Sequence, residues 1–251
     1  MDAPESRPRA VLQVGPHAPG TGPRDGRPAL SPLLPRTLVE QVADAIVRAA
    51  ALGELLPGDR VVEADLARLL RVSRVPVREA LRMLESQGVV VNTPYRGMRL
   101  MEVSADRLRA ILRVRLELER LAVREVLARP GAREALVAEL AALCRAMGAA
   151  AARGDGYELA RLDTEFHHAL CRASGNEALL GSFGPLARQL TVIFGFSALQ
   201  KELAPVVAEH VELCRALARG EEAELIELLR VHIIEANEAL DHEAFIRSRR
   251  R

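Results

Sequence analysis

The chain has 251 residues with 35 basic and 34 acidic side chains, a formal charge of +1, so its global charge favours neither nucleic acid nor any other partner. Hydrophobic residues make up 49 % and aromatics only 3 %. That aliphatic mixture, rich in Ala, Leu, Arg and Glu, suits helices packed on one another, and the length allows one or two domains with a sizeable core. No apolar run of about 18 residues is free of charge, which argues against a membrane span. The lack of a continuous apolar segment near the start argues against secretion. Three scattered cysteines (Cys144, Cys171 and Cys214) and no CxxC pair suggest buried thiols in a reducing, cytoplasmic setting.

Residues 1–35 are dense in Pro, Gly and Arg and lack periodicity, the signature of a disordered tail. Regular pattern starts at Thr37, which with Glu40 can form a capping box for a helix carrying Leu38, Val42, Ile46 and Ala49 on one face. Gly53 is a natural stop, and Pro57-Gly58-Asp59 is a turn. Glu63–Leu70 reads as a helix, Ser73 as the cap of another running to about Gly88, and Pro76 is tolerated in its first turn. Val89–Val91 and Met98–Met101, separated by Pro94-Tyr95-Arg96-Gly97, read as a hairpin. Helix, helix-turn-helix and hairpin over 36–102 is the order of a winged helix-turn-helix. From residue 103 to 251 the pattern is helical throughout, with breaks at Arg129-Pro130-Gly131, Gly154-Asp155-Gly156, Ser174-Gly175-Asn176, Gly184-Pro185 and Arg219-Gly220. These predict an all-α bundle of about six helices, so the fold class is mainly α, in two domains.

Charge is unevenly placed. Between Arg68 and Arg99 there are seven arginines against two acids, whereas the chain from residue 102 onward has 21 basic and 23 acidic residues. A basic stripe on one helix is either a solvated face or an electrostatic footprint for a phosphate backbone, and the surrounding element order favours DNA. Arg74 and Arg78, four apart, share a face at the start of the second helix and can fork onto guanine or clamp phosphates. Ser73 can donate to a phosphate beside the free N–H groups of the helix start. Arg96 and Gly97 lie in the wing, where glycine permits close backbone approach.

The run PGDRVVEADLARLLRVSRVPVREALRMLESQGVV resembles the winged-helix signature of GntR-type transcription regulators, most specifically in VSRVPVREAL over Val72–Leu81. Two positions depart from the family pattern. Arg71 stands where the family often has glycine, adding a possible phosphate contact. Val75 stands where threonine is usual, removing a hydroxyl from the reading face.

A second constellation is made of histidines. Asp163 and His167 are four apart and share a helical face. His210 and His232 lie on separate later helices and could converge on them in a bundle. One carboxylate and three imidazoles suit a divalent ion such as zinc, nickel or manganese, with positions left open for water or a ligand carboxylate. Each histidine alone reads equally as an ordinary core or surface residue. The stretches around Asp163–His167, Ala173–Asn176, Glu209-His210 and His232 resemble the FCD domain of FadR-like regulators. Many members of that branch hold a divalent metal on one Asp and three His, and the matching positions here are Asp163, His167, His210 and His232. His168 points about 100° round the helix from His167 and is not among them.

The resemblance implies a homodimeric, ligand-responsive DNA-binding regulator, by default a repressor. It would bind double-stranded operator DNA and sense a small carboxylate at the metal, with Arg115 as the counter-charge. Arg113 or Arg120 are substitutes for Arg115, which could also be purely a structural ion pair. A metal-responsive regulator is the alternative. A metallohydrolase fused to a reader domain is a weaker one, because no HExxH motif occurs.

Overall fold

The computed structural model describes residues 37–238 and 241–250, and residues 36–251 form one compact unit. The expected tail over 1–35 lies outside the described residues. Helix α1 (Leu38–Ala51) opens with the capping box: Thr37 Oγ1 accepts from the Glu40 amide at 3.2 Å, and Glu40 Oε2 accepts from the Thr37 amide at 2.8 Å. It buries Val42, Ala43, Ile46, Val47 and Ala50 and stops at Gly53, whose φ is +69°. Helices α2 (Glu63–Leu70) and α3 (Arg74–Ser86) follow, with Val77, Ala80, Leu81 and Leu84 of α3 buried against α1. Strands β1 (Val90–Thr93) and β2 (Gly97–Leu100) pair antiparallel in the register Val90↔Leu100 and Thr93↔Gly97. Helix–helix–helix–hairpin is a winged helix-turn-helix.

Ser104 then caps α4 (Ala105–Leu127), and Asp155 and Asn176 cap α6 (Gly156–Ala173) and α7 (Glu177–Ala198). Helix α5 (Pro130–Ala152) begins on its proline, and α8 (Ala204–Arg219) ends on Gly220 in the left-handed region. Helix α9 (Glu222–Arg230) runs into a π-helical turn (Val231–Glu235) and then α10 (Ala236–Glu238), and α11 (His242–Arg249) closes the chain.

The break expected at Gly184-Pro185 is absent. Helix α7 continues through Pro185, and the turn falls instead between Ala198 and Ala204. The ring of an internal proline presses on the residue four positions back. Here the clash falls on the Gly181 carbonyl, and α7 accommodates it without ending.

One hydrophobic core runs from α1 and α3 through α4, α6 and α7 to α9. A smaller cluster of Met147, Ala150, Leu159, Leu162 and Val206 packs α5, α6 and α8 together. Helices α5 and α7 have the length and hydropathy of membrane spans, but 56 % of the α7 window is buried in this core. Helix α5 carries Arg133, Glu134, Glu139 and Arg145 along its length. The three cysteines are buried and unbridged.

The winged helix is seated on α7. A Cβ added at Gly195 would lie 2.5 Å from the Cβ of Ala51, so the two helices touch at a point only glycine allows. The end of α3 is gripped as well. Gln189 Nε2 donates to the Gln87 carbonyl at 2.8 Å, and Arg107 Nη2 donates to the Gly88 carbonyl at 3.1 Å and to Gln189 Oε1 at 3.0 Å. The last carbonyls of α3 itself are taken by the Gln87, Gly88 and Val89 amides, so α4 and α7 hold the two carbonyls just past the helix end.

Candidate nucleic-acid interface and metal centre

Helix α3 presents its basic side to solvent. Arg71, Arg74, Arg82 and Arg96 are exposed, and among the described residues their side chains make no hydrogen bond or ion pair. Arg71 ends α2 in the left-handed conformation, φ +55°. Ser73 is the N-cap of α3 by backbone geometry but makes no capping hydrogen bond. Its exposed hydroxyl and the first amides of α3 are therefore available, with no acidic residue in the first turn to compete for them.

Arg78 is not free. Its Nε and Nη2 donate to both carboxylate oxygens of Glu63 at 3.0 and 2.8 Å, holding α2 to α3. This pairing holds the Glu63 carboxyl below its ordinary value and raises the Arg78 guanidinium. At the wing tip the Arg96 amide donates to the Thr93 carbonyl at 3.0 Å. Pro94 and Tyr95 are the central residues of that turn, and fully exposed Tyr95 has a φ of +62°. Gly97 follows at φ +75°, so glycine serves the turn there. Tyr95 was passed over in sequence because a lone tyrosine in a turn carries no periodic signal.

The histidine cluster is deeply placed. Asp163 and His167 project from α6, His210 from α8 and His232 from the π-helical turn, and all four are buried. One ligand atom from each lies within 4.8 Å of all the others. Each imidazole is oriented from behind. His167 Nδ1 donates to Glu119 Oε2 at 2.6 Å, His210 Nδ1 to the Val206 carbonyl at 2.8 Å, and His232 Nδ1 to Glu209 Oε2 at 2.7 Å. Nδ1 carries the proton in each, so every Nε2 lone pair faces the centre.

The charge states agree with that geometry. Burial lowers His167 to about 3, helped by the charge of Arg115 and opposed by Glu119 and Asp163. Burial also lowers His232, with His210 adding to it against Glu209 and Asp163. Burial raises Glu119, but His167 and Arg115 outweigh it and bring the carboxyl down to about 2. Burial likewise opposes ionisation of Asp163, and His210, His167 and Arg115 together hold it well below the carboxylate range. Neutral imidazoles and an ionised carboxylate are the forms a metal ion takes.

The cluster is unsatisfied as a purely organic one. His167 Nε2 and His232 Nε2 stand 3.2 Å apart with lone pair facing lone pair. His210 Nε2 lies 3.2 Å from Asp163 Oδ1 without hydrogen-bond geometry, and Asp163 Oδ2 is buried without a partner. A cation on the four ligand atoms removes each of these conflicts, so the residues fit a divalent ion.

A narrow cleft with a cavity volume of about 20 Å³ opens onto the cluster, lined by Asp163, Phe194, Lys201, Glu209, His232 and Asn237 among others. Arg115 stands behind its wall. It is buried, its Nε donates to Glu119 Oε1 at 2.7 Å, its guanidinium lies 5.2 Å from the Phe194 ring centroid, and its Nη2 has no partner. Arg113 is exposed, and Arg120 pairs with Glu117 at 2.9 Å on α4, so neither substitutes for it. Glu119 and Glu209, which aim two of the imidazoles, were not assigned that role in sequence. The available signal for Glu119 was its i+4 spacing from Arg115, and for Glu209 only its place beside His210.

A winged helix-turn-helix with a basic reading helix, joined to an all-helical C-terminal domain, defines a transcription regulator. Residues 38–100 match the bacterial regulatory proteins of the gntR family and residues 110–235 match the FCD domain. The chain is 31 % identical over 209 residues to a probable D-xylose utilization operon transcriptional repressor of Paenarthrobacter nicotinovorans, covering 83 % of this chain and 91 % of that protein. It is 29 % identical over 177 residues to the Nta operon transcriptional regulator of Aminobacter aminovorans, covering 70 % of this chain and 82 % of that protein. The solved structure of E. coli McbR/YncC superimposes with a TM-score of 0.64 at 24 % identity, over 86 % of this chain and 99 % of that one, a likeness of fold. The chain belongs to the GntR family of transcription regulators, in the branch that carries an FCD domain. These families and relatives are regulators, not enzymes.

Proposed function

We propose that this regulator is a cytoplasmic homodimer that reads a palindromic operator through α3 and the wing. It would answer to a small organic acid bound at a divalent ion on Asp163, His167, His210 and His232. The observation that carries the metal is the pair of bare Nε2 atoms 3.2 Å apart, each fixed from behind by a carboxylate on Nδ1. When bound, the ion supplies a positive anchor for a carboxylate entering through the cleft. Lys201 at the cleft and the unpartnered Nη2 of Arg115 are the protein's own counter-charges.

Zinc, nickel and manganese all suit one carboxylate and three imidazoles. On the DNA side, Arg71, Ser73, Arg74 and Arg96 contact phosphates or bases, Gly97 shapes the wing, and Arg78 does so if it leaves Glu63. Support for the dimer comes from α4, whose exposed Val114 and Leu121 flank half-buried Leu118 in one stripe. Repression is the sign favoured by the Paenarthrobacter relative.

Metal content by mass spectrometry of purified protein tests the reading. About one ion per chain is expected in wild type and none in His210→Ala, whereas equal content in both refutes the ligand set. Calorimetry of the loaded protein with acetate, malonate and citrate then tests the carboxylate. An operator affinity that changes with metal alone would instead make the ion itself the signal.

A further inference from the structure

We propose that Val75 is a specificity-determining residue that reads the 5-methyl group of a thymine in each operator half-site. The inference deepens, and rests on, the reading of α3 as the helix that enters the major groove. Val75 is the second residue of α3 and is 61 % exposed. The buried face of the helix is made by Val77, Ala80, Leu81 and Leu84, so Val75 contributes nothing to the core. Every other exposed residue of α3 is charged or is Ser86. A β-branched apolar side chain is also a poor choice for a solvated helix position on propensity alone.

Its neighbours give it a job. Arg74 adjoins it, Ser73 and the free first amides of α3 lie just before it, and Arg78 is held to one side by Glu63. Those groups recognise phosphates and base-edge acceptors. Valine has no donor or acceptor, so it cannot read the polar edge of any base pair. The one apolar group that the major groove offers is the thymine methyl. Valine's stiff χ1 also means that little rotamer freedom is lost when the contact forms. Removing one buried methyl contact should weaken binding about fourfold.

The test uses the full chain supplied with divalent metal. Operators are first selected from a random duplex pool by the wild-type protein. Each thymine of the enriched site is then replaced in turn by deoxyuridine, which removes the 5-methyl group and nothing else. Wild type should lose about fourfold at one thymine per half-site, and Val75→Ala should bind the thymine and uracil duplexes equally. An exposed valine can be truncated without harming the fold, and the melting temperature of the variant checks this. The proposal is overturned if no uracil replacement weakens wild type, or if Val75→Ala shows the same loss. A pool from which nothing is enriched would instead strike at the DNA-reading assignment, and the proposal would fall with it.

Discussion

Replacing Glu119 by glutamine probes the centre of the sensor domain. Glu119 is fully buried and bonds Arg115 with one oxygen at 2.7 Å and His167 with the other at 2.6 Å. The amide keeps the shape and loses the charge. Arg115 is then a buried cation without a counter-ion, a defect that costs about 3–5 kcal/mol. Against the penalty of burial, His167 and Arg115 hold the carboxyl below its ordinary range, so it is the ionised form that glutamine removes. The second effect falls on the metal. Glutamine offers His167 Nδ1 a weaker acceptor, so metal affinity should drop about 10- to 100-fold. Urea unfolding in chelator reads the first quantity, and competitive titration against a chromophoric chelator reads the second. The double variant Arg115→Met/Glu119→Gln removes both charges and should recover much of the stability without recovering the metal affinity. Single and double losses that simply add, or a Glu119→Gln protein within 1 kcal/mol of wild type, would refute the reasoning.

Without metal, stability should decline as pH falls from about 6.5. His167 is held at about 3 when folded, so the unfolded chain takes up the proton first; an acid titration of melting temperature in chelator that stays flat from pH 7 to 5 would contradict this. Arg78→Ala should reduce operator affinity about tenfold or more if the guanidinium leaves Glu63 for DNA. Unaltered binding isotherms would instead leave Arg78 as a tie between α2 and α3. Gly195→Ala should cost about 1–3 kcal/mol by overpacking against Ala51, where the added Cβ would come within 2.5 Å. Denaturant midpoints that do not move would show that α1 and α7 separate easily.

The winged helix was legible because its information is local. Capping box, turn glycines and the alternation of α2, α3 and hairpin all sit within a few residues of the positions they control, and α2 spans Glu63–Leu70 as the pattern predicts. The candidate ligand set was legible as a possibility, since Asp163 and His167 are helical neighbours on which His210 and His232 could converge, and the family resemblance singled it out. What stayed hidden depends on contacts distant in sequence. Glu119 reaches His167 across 48 residues and Glu63 reaches Arg78 across 15. Pro185 reads as a break by rule, but α7 runs through it and buries Phe183 before it and Leu190–Ser197 after it, a tertiary gain that the local rule does not count. Ser73 looked like a side-chain cap and is one only in its backbone.

The grip of Arg107 and Gln189 on the Gln87 and Gly88 carbonyls, just past α3, bears on how such proteins can be recombined. Reader and sensor look like interchangeable cassettes joined by the short link from Met101 to Ser104. Yet a graft at that link would leave the Gln87 and Gly88 carbonyls without their side-chain partners unless residues 107 and 189 came with the new C-terminal domain. A hybrid assembled from two family members should therefore couple its halves through that pair of side chains, and a chimera lacking them should keep DNA binding while losing any dependence of it on the C-terminal domain.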